Sequence, residues 1–350
     1  MSTIPLFVGV DYHQDQLQIC VMDQQAAVHL NSSHANDAPA VAKLLQGMGS
    51  VHSVAIEACC GAADFGQELA AAGSFRVELA HSGYVARLKQ SPDKTDYGDA
   101  RLLADLTRVG YLPRVWLAPP AVRDLRQLTN HRQRLVNGRR AVKLQVGAIL
   151  REQRVKLAGG RWGKQWTAQA RDNVQLSDSA RWIVNDLLDE ILHLDNKTHR
   201  VASRLREVTA DNPLIGQLRR IEGVGEVTAW MLSAWIGRFD RFKNGKQLSR
   251  YCGLSPRNAS SGKRQADAGL MDAANKPLRA VLIQAAHRLI RTNDRWGKLA
   301  ERLANKGKPT CVVVAAVANR WVRSMHHRML QPQQPAAKEQ ENLEKEAEEA

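Results

Sequence analysis

The first third of the chain alternates between strand-like and helix-like hydrophobic patterns. Short apolar or alternating runs, rich in β-branched residues, predict strands at residues 5–11, 16–22, 51–57 and 75–80. We expect residues 27–30 to pair beside the second of these strands. Helical periodicity occurs between and after them, at residues 38–48, 63–72 and 98–110. A strand meander followed by alternating helices and strands predicts a mixed sheet covered by helices.

The middle of the chain has a different periodicity. From residue 180 to residue 208 apolar side chains recur at 4-3 spacing, and only Thr198 interrupts them. A looser seam runs from residue 125 to residue 149, with Arg132 and Arg139 in two of its positions. Such seams favour a coiled coil or a long helical hairpin. Two helices packed within one chain would explain the pattern, but we favour dimerisation, because the seam spans roughly 45 Å at about 1.5 Å per residue.

The last third reads as helices punctuated by glycine and proline. Residues 311–318 are most simply a buried helix, and residues 331–350 form an acidic, low-complexity tail that we expect to be disordered. The predicted fold class is α/β plus all-α. Its predicted segments are an α/β domain at 1–112, a helical dimerisation segment at 113–212, a helical domain at 213–330 and the tail at 331–350.

Charge is distributed unevenly along the 350 residues, whose net charge is +15. Residues 1–110 carry 7 basic and 12 acidic side chains, residues 111–330 carry 41 and 17, and residues 331–350 carry 2 and 6. A local excess of 24 positive charges predicts a polyanionic partner, and nucleic acid is the one that we favour over a merely solvated surface.

Other classes of protein are disfavoured by composition. No apolar run is long enough for a membrane span, and the start of the chain lacks the pattern of a signal peptide. The five cysteines have neither disulfide-framework nor zinc-ligand spacing. We therefore expect a cytoplasmic protein, associated with the nucleoid if its partner is DNA.

Four carboxylates stand where strand ends and a helix start would bring them together. Asp11 and Glu57 end predicted strands, while Asp96 and Asp99 are three residues apart at the start of a predicted helix. Carboxylate oxygens are the ligands that Mg²⁺ prefers, and two metal ions held by such a set can assist phosphodiester chemistry. The sequence thus predicts that these four residues together are catalytic and hold Mg²⁺, although a lone acidic residue at such a position is more often a solvated or capping residue.

A second constellation lies in the last third. Residues 221–225 read IEGVG, and Gly223 and Gly225 are placed as in a helix-hairpin-helix turn, where free backbone N–H groups bind a DNA phosphate. An ordinary glycine-containing connection explains the turn equally well. A Ser-, Gly- and Arg-rich loop follows, then the start of another helix. Five basic residues in this block are candidate phosphate contacts, unless the loop is simply solvated: Arg257, Lys263, Arg264, Lys276 and Arg279.

Both constellations resemble one known family. The segments GVDYHQDQL (9–17), VAIEACCG (54–61) and KTDYGDARLLADL (94–106) resemble the DEDD set of the RNase H/RuvC-like domain in insertion-sequence transposases of the IS one-ten type. These enzymes are related to Piv DNA invertases and are bridge-RNA-guided serine recombinases. The segments GLSP (253–256), SG (261–262) and NKPLR (275–279) resemble their transposase domain. The chain departs from the family pattern at His13-Gln14, at Cys59-Cys60 and at two positions before Lys276.

The resemblance implies a mechanism and a set of partners. Ser261, with Ser260 as the adjacent alternative, would be the nucleophile that forms a phosphoserine link to DNA, opposite the Mg²⁺-bound carboxylates. The resemblance also implies donor and target DNA, a structured guide RNA, and a homodimer that assembles to a tetramer with half-sites from different protomers. The residues alone leave two alternatives open. One is a RuvC-like, metal-dependent (Holliday-junction) nuclease that uses water, and the other is a non-catalytic nucleic-acid-binding protein.

Overall fold

The computed structural model describes residues 4–89, 95–258, 267–271 and 275–331. It divides into two compact units, Met1–Pro120 and Ala121–Ala350. The helical middle and the last third, which the sequence separates at residue 212, both belong to the second unit. The four-segment division stays a prediction, and the acidic tail from residue 332 onwards lies outside the described residues.

Unit 1 is built on a six-stranded mixed sheet in the order β3-β2-β1-β4-β5-β6. The strands are β1 (Leu6–Tyr12), β2 (Gln16–Met22), β3 (Val28–Ala35), β4 (Val51–Glu57), β5 (Val77–Ala80) and β6 (Arg114–Val115). β1 pairs antiparallel with β2 and parallel with β4, so β1 is central. Its apolar run is accordingly buried on both faces.

Helices cover both faces of this sheet. They are α1 (Ala38–Met48), α2 (Ala62–Gly73), α3 (Ser82–Leu88) and α4 (Asp96–Arg108). Because side chains alternate along a strand, Val8 and Val10 of β1 join the core formed with α1 and α2, whereas Phe7 packs with Ala100 and Ala104 of α4. The mixed α/β architecture expected from the sequence is confirmed. α4 begins at Asp96, two residues before the predicted start, and the short β6 was not predicted.

Unit 2 is helical apart from a two-stranded ribbon. Its helices are α5 (Pro120–Glu152), α6 (Lys164–Arg171), α7 (Asp178–Val208), α8 (Pro213–Arg219), α9 (Glu226–Trp235), α10 (Gly245–Tyr251), α11 (Lys276–Thr292), α12 (Asp294–Ala304) and α13 (Thr310–Leu330). The ribbon pairs β7 (Pro256–Asn258) with β8 (Asp267–Leu270). The helix predicted as buried over residues 311–318 is only partly so: Cys311 and Val312 are exposed, because α13 presents one stripe to the core and continues to Leu330.

The two seams of the middle segment lie in α5 and α7, and most of their residues are buried or partly buried within a single chain, although Val208 at the end of α7 is exposed. Val142, Val146 and Leu150 of α5 form one apolar cluster with Val184 and other residues of the α7 seam. Arg139, at a polar position of the α5 seam, forms an ion pair with Asp195 of α7. The seam is therefore explained by packing inside one chain, which is the alternative that we did not favour. The homodimer and tetramer stay predictions without support from the seam.

Candidate active site

Asp11 lies near the carboxyl end of the central strand, where α4 crosses it at very short range. Gly9, two residues earlier on the same face, makes this possible: a Cβ atom there would lie 2.1 Å from the Ala100 carbonyl oxygen and 2.4 Å from the Ala104 nitrogen. Both atoms belong to the backbone of α4. A glycine at this position therefore lets the helix lie directly on the strand and brings its first turn to Asp11.

The start of α4 is fixed by a capping residue. The Thr95 hydroxyl oxygen accepts a hydrogen bond from the Gly98 N–H at 3.1 Å, and Asp96 and Asp99 occupy the first turn that follows. Negative charge is favourable at a helix N-terminus, where the backbone N–H groups are unpaired. The Asp96 side chain is 49% exposed, whereas Asp99 is buried.

Three ligand atoms converge at this end of β1. His13 Nε2 lies 3.3 Å from Asp11 Oδ2 and 3.5 Å from Asp96 Oδ1, and the three ligand atoms all lie within 4.8 Å of one another. Burial raises the pKa of the Asp11 carboxyl, the negative charges of Asp99 and Asp96 raise it further, and His13 opposes the rise. The cluster thus concentrates negative charge that a bound cation would offset.

Glu57 occupies the equivalent position on the neighbouring strand. β1 and β4 run parallel with Val10 paired to Ile56, so Asp11 and Glu57 are the next residues on adjacent strands. By alternation Glu57 shares a face with Ala55, which packs against α4. The structure therefore places Glu57 beside Asp11 in the sheet, although the group of mutually close ligand atoms comprises only Asp11, His13 and Asp96 among the described residues.

Asp99 is engaged by a lysine. Lys89 Nζ lies 2.6 Å from Asp99 Oδ1 and 2.7 Å from Asp99 Oδ2, and the Asp99 side chain is only 10% exposed. A charge buried to this extent needs a partner. Lys89 follows directly after α3, so this ion pair also ties the end of α3 to the first turn of α4.

The donor set fits a divalent cation. Asp11 and Asp96 offer carboxylate oxygens, Glu57 stands next to Asp11, and His13 adds an imidazole nitrogen. Oxygen ligands suit Mg²⁺, and a mixed nitrogen and oxygen set also suits Mn²⁺ and later transition metals. A divalent ion is therefore consistent with the site, and its identity as Mg²⁺ stays a prediction.

The second constellation centres on the turn between α8 and α9. Gly223 has φ 84° and packs on Leu289, whereas Gly225 has an extended backbone and caps α9 without a side-chain hydrogen bond. The Trp321 indole N–H donates to the Glu222 carbonyl oxygen at 3.1 Å. Next to the cap, Glu226 is held by Arg206 in two hydrogen bonds of 2.8 and 2.9 Å. Phosphate binding at this turn stays a prediction.

The remaining predicted contacts surround the β7–β8 ribbon. Arg257 is exposed on β7, and Lys276 is exposed at the start of α11, which Asn275 caps. Arg279 Nη1 donates to the Met271 carbonyl oxygen at 2.6 Å, so this guanidinium is anchored beside the end of β8. Ser261, its neighbour Ser260, Lys263 and Arg264 lie outside the described residues.

Comparison with known families supplies the decisive observation. A DEDD transposase model of the IS110 type, described as "Transposase", matches residues 8–154. A second model, described as "Transposase IS116/IS110/IS902 family", matches residues 216–301. The chain belongs to the IS110 family of insertion-sequence transposases. The first match includes all four carboxylates of this transposase, and the second includes the glycine turn and the block around the ribbon.

Curated relatives agree with this assignment. The transposase is 28% identical over 291 residues to "Transposase for insertion sequence element IS1111A" of Coxiella burnetii, covering 81% of this chain and 78% of the relative. It is 27% identical to "Probable family 20 transposase" of Pseudomonas aeruginosa, covering 77% and 81%. It is 25% identical to "Transposase for insertion sequence element IS1328" of Yersinia enterocolitica, with the same shares.

The family assignment establishes the class of the enzyme. The chain is a DNA transposase, and its sheet unit is consistent with the RuvC-like DEDD fold that the resemblance implies. Within the described ranges, no helix is long and apolar enough to cross a membrane.

Two residues of the candidate site were missed by the sequence reasoning. His13 stood out only as a departure from the family pattern, although it lies two residues after Asp11, directly after the end of β1, which is the spacing of side chains that share a face. Lys89 has no such signal, because it precedes Asp99 by ten residues and meets it only once α3 and α4 are packed.

Proposed function

We propose that this transposase cuts and rejoins DNA through a covalent phosphoserine link at Ser261. The Ser261 hydroxyl loses its proton as its oxygen attacks the scissile phosphorus, the bond from phosphorus to the departing strand's oxygen breaks, and that oxygen takes up one proton in turn. The link keeps the bond energy of the phosphodiester, so a second strand can displace the serine without ATP. The observation that carries the proposal is the convergence of Asp11 and Asp96 at the end of β1, in a chain that matches both family models.

In this proposal the carboxylates act on the phosphate from the other half of a composite site. Asp11, Glu57, Asp96 and Asp99 hold one or two divalent ions, which we propose to be Mg²⁺. When bound, such an ion supplies charge neutralisation at the scissile phosphate and the leaving oxygen. Lys89 keeps Asp99 oriented in the free protein, and Arg257, Lys263, Arg264, Lys276 and Arg279 bind phosphates around Ser261.

The partners belong to the proposal as well. We propose that a structured guide RNA selects donor and target DNA, and that two protomers, assembling to four, supply the carboxylate and serine halves. The excess of positive charge over residues 111–330 supports the binding of RNA and DNA together. Action on the nucleoid in the cytoplasm follows from this substrate.

A denaturing gel of labelled DNA, incubated with protein, guide RNA and Mg²⁺, tests the serine. We expect a slow, protease-sensitive band with the wild type and with the matched control Ser260→Ala, and no such band with Ser261→Ala. Binding should survive in Ser261→Ala, because one hydroxyl is lost and no charge. A covalent band that persists in Ser261→Ala but vanishes in Ser260→Ala would move the nucleophile by one residue.

The same gel separates the two other classes of protein. Strand cleavage that survives both serine changes without a covalent band would identify a metal-dependent nuclease that uses water. Binding without any strand scission would identify a non-catalytic nucleic-acid-binding protein. Omitting the RNA tests the guide: unchanged recombination in its absence would remove it from the proposal.

A further inference from the structure

A cationic cleft lies where α10, α12 and α13 meet, and none of its lining residues is one that the sequence assigned to nucleic-acid binding. It has a volume of about 610 Å³. Its lining includes four cationic side chains and two neutral polar ones: Lys246, Arg295, Arg320, Arg323, Asn244 and Ser324. Four positive charges therefore share one concave surface.

The charges of this cleft are not balanced by neighbours. Some exposed arginines elsewhere in unit 2 are paired with carboxylates, as in Arg206 with Glu226 and Arg238 with Asp240. Among the described residues, no carboxylate lines the cleft or forms an ion pair with any of its four cations. α13 carries no acidic residue over its 21 positions. Unpaired like charges held together favour the binding of an anion with several charges.

The cleft is held open by rigid packing rather than by its own side chains. A Cβ atom on Gly245 would lie 2.9 Å from the Cα and carbonyl oxygen of Arg323, so α10 starts directly against the backbone of α13. Asn319 Nδ2 donates to the Ser249 hydroxyl oxygen at 2.6 Å, and His326 Nε2 lies 3.0 Å from the Phe242 carbonyl oxygen. The arginines therefore project from a fixed scaffold, which lowers the entropy lost when a ligand binds.

Arg295, in the first turn of α12, lies against an aromatic ring. Its guanidinium carbon lies 4.9 Å from the ring centroid of the buried Trp296. Stacking of this kind leaves the edge of the guanidinium free to donate hydrogen bonds, and the planar fork matches the paired oxygens of a phosphate. Lys246 of α10 lines the same cleft and adds the compact charge of an ammonium group.

We propose that this cleft binds the phosphodiester backbone of duplex DNA. The inference rests on the transposase acting on DNA, and it adds a contact surface to those around Ser261. Duplex DNA carries one negative charge per about 1.7 Å of helix axis, so several phosphates meet a cluster of this size. Backbone contacts position the duplex and carry no sequence information.

The experiment measures binding of a labelled DNA duplex by fluorescence anisotropy, with the full chain in EDTA, between about 50 and 200 mM salt. For Arg320→Gln/Arg323→Gln we expect binding about tenfold weaker at the lower salt and a slope of log K against log salt that is smaller by about 1.8, since each lost phosphate contact removes about 0.9. Arg320→Lys/Arg323→Lys keeps the charge and should keep the slope.

The charge-matched control is Lys306→Gln/Lys308→Gln, in the exposed loop between α12 and α13 and outside the cleft. An equal loss in this control would overturn the proposal, because net charge alone would then explain the effect. Wild-type affinity and slope in the arginine variant would also overturn it, and so would a loss confined to a structured RNA probe. Failure of the serine mechanism would leave these results unchanged, since no strand is cut in EDTA.

Discussion

Gly9→Ala is the smallest change that should move Asp96 on α4 away from Asp11 on β1. The added Cβ would lie 2.1 Å from the Ala100 carbonyl oxygen, whereas ordinary carbon–oxygen contacts start at about 3.3 Å. The difference requires α4 to move by about 1.2 Å, because both the strand and the helix contribute backbone that cannot rotate away. Overpacking of this kind costs about 3 kcal/mol or more.

The consequences are measurable in stability and in activity. For a unit of this size about 3 kcal/mol corresponds to roughly 10 °C in Tm. A displacement near 1 Å at the reacting groups lowers catalysis by about 100-fold, so DNA strand cleavage should fall further than the folded fraction does. Thermal unfolding followed by circular dichroism, and cleavage measured well below the variant's Tm, give the two quantities.

Gly47→Ala is the matched control in the same unit. Gly47 lies in α1, and a Cβ there would meet nothing within 4 Å. This change should be neutral or stabilise the protein by up to about 1 kcal/mol, as alanine favours helix. The reasoning about α4 would be refuted if Gly9→Ala melted at the wild-type temperature and cleaved DNA at the wild-type rate.

Three further predictions concern the site and the hairpin. Folding raises the pKa of Asp11, so the ionised carboxylate destabilises the folded state at a pH above that raised pKa. Asp11→Asn should therefore raise the Tm at pH 7 in EDTA. This gain should vanish at a pH below the pKa of the unfolded chain, about 3.9, where the carboxyl is protonated in both states. Lys89→Met should cost about 2 kcal/mol in urea unfolding, less than a fully buried pair because the lysine side chain is 25% exposed, and Lys89→Arg should restore most of it. Ile191→Glu should lower the Tm equally at all protein concentrations. A deficit that shrank on dilution would instead indicate a dimer held by this seam, because only the wild type would lose stability as its dimer dissociated.

Five of the six strands of the sheet unit could be predicted because each carries its own signal, whereas the two-residue β6 is too short to carry one. The alternation at residues 16–22 predicted β2 with its observed bounds. It matches the burial of the first half of the strand, where Leu17 and Ile19 are buried and Gln16 is exposed, whereas Cys20 to Met22 are buried on both faces. Asp11, Glu57 and Asp96 could be placed together because strand ends and helix starts are visible in the pattern. The register that sets Glu57 beside Asp11 is a property of two strands and could not be read from either one.

The α7 seam shows where the pattern stops being informative. A 4-3 repeat indicates that one face of the helix is buried. The repeat is the same whether that face packs against a second chain or against another helix of the same chain. Here α5, with Val146 and Leu150, supplies that cover. Likewise, the contact between Lys89 and Asp99 depends on how α3 and α4 pack, for which no local periodicity exists.

The packing of α4 on β1 also orders events during synthesis. Asp11 and Glu57 leave the ribosome early, but Asp96 follows Asp11 by 85 positions, and the ligand atoms of the two aspartates come within 4.8 Å only when α4 has settled over Gly9. Bringing the ends of so long a segment together costs conformational entropy, and the contacts within the sheet alone do not offset that cost. A nascent chain that ends before α4 therefore has strands but no complete carboxylate cluster, because Asp96 and Asp99 have not yet been added to it.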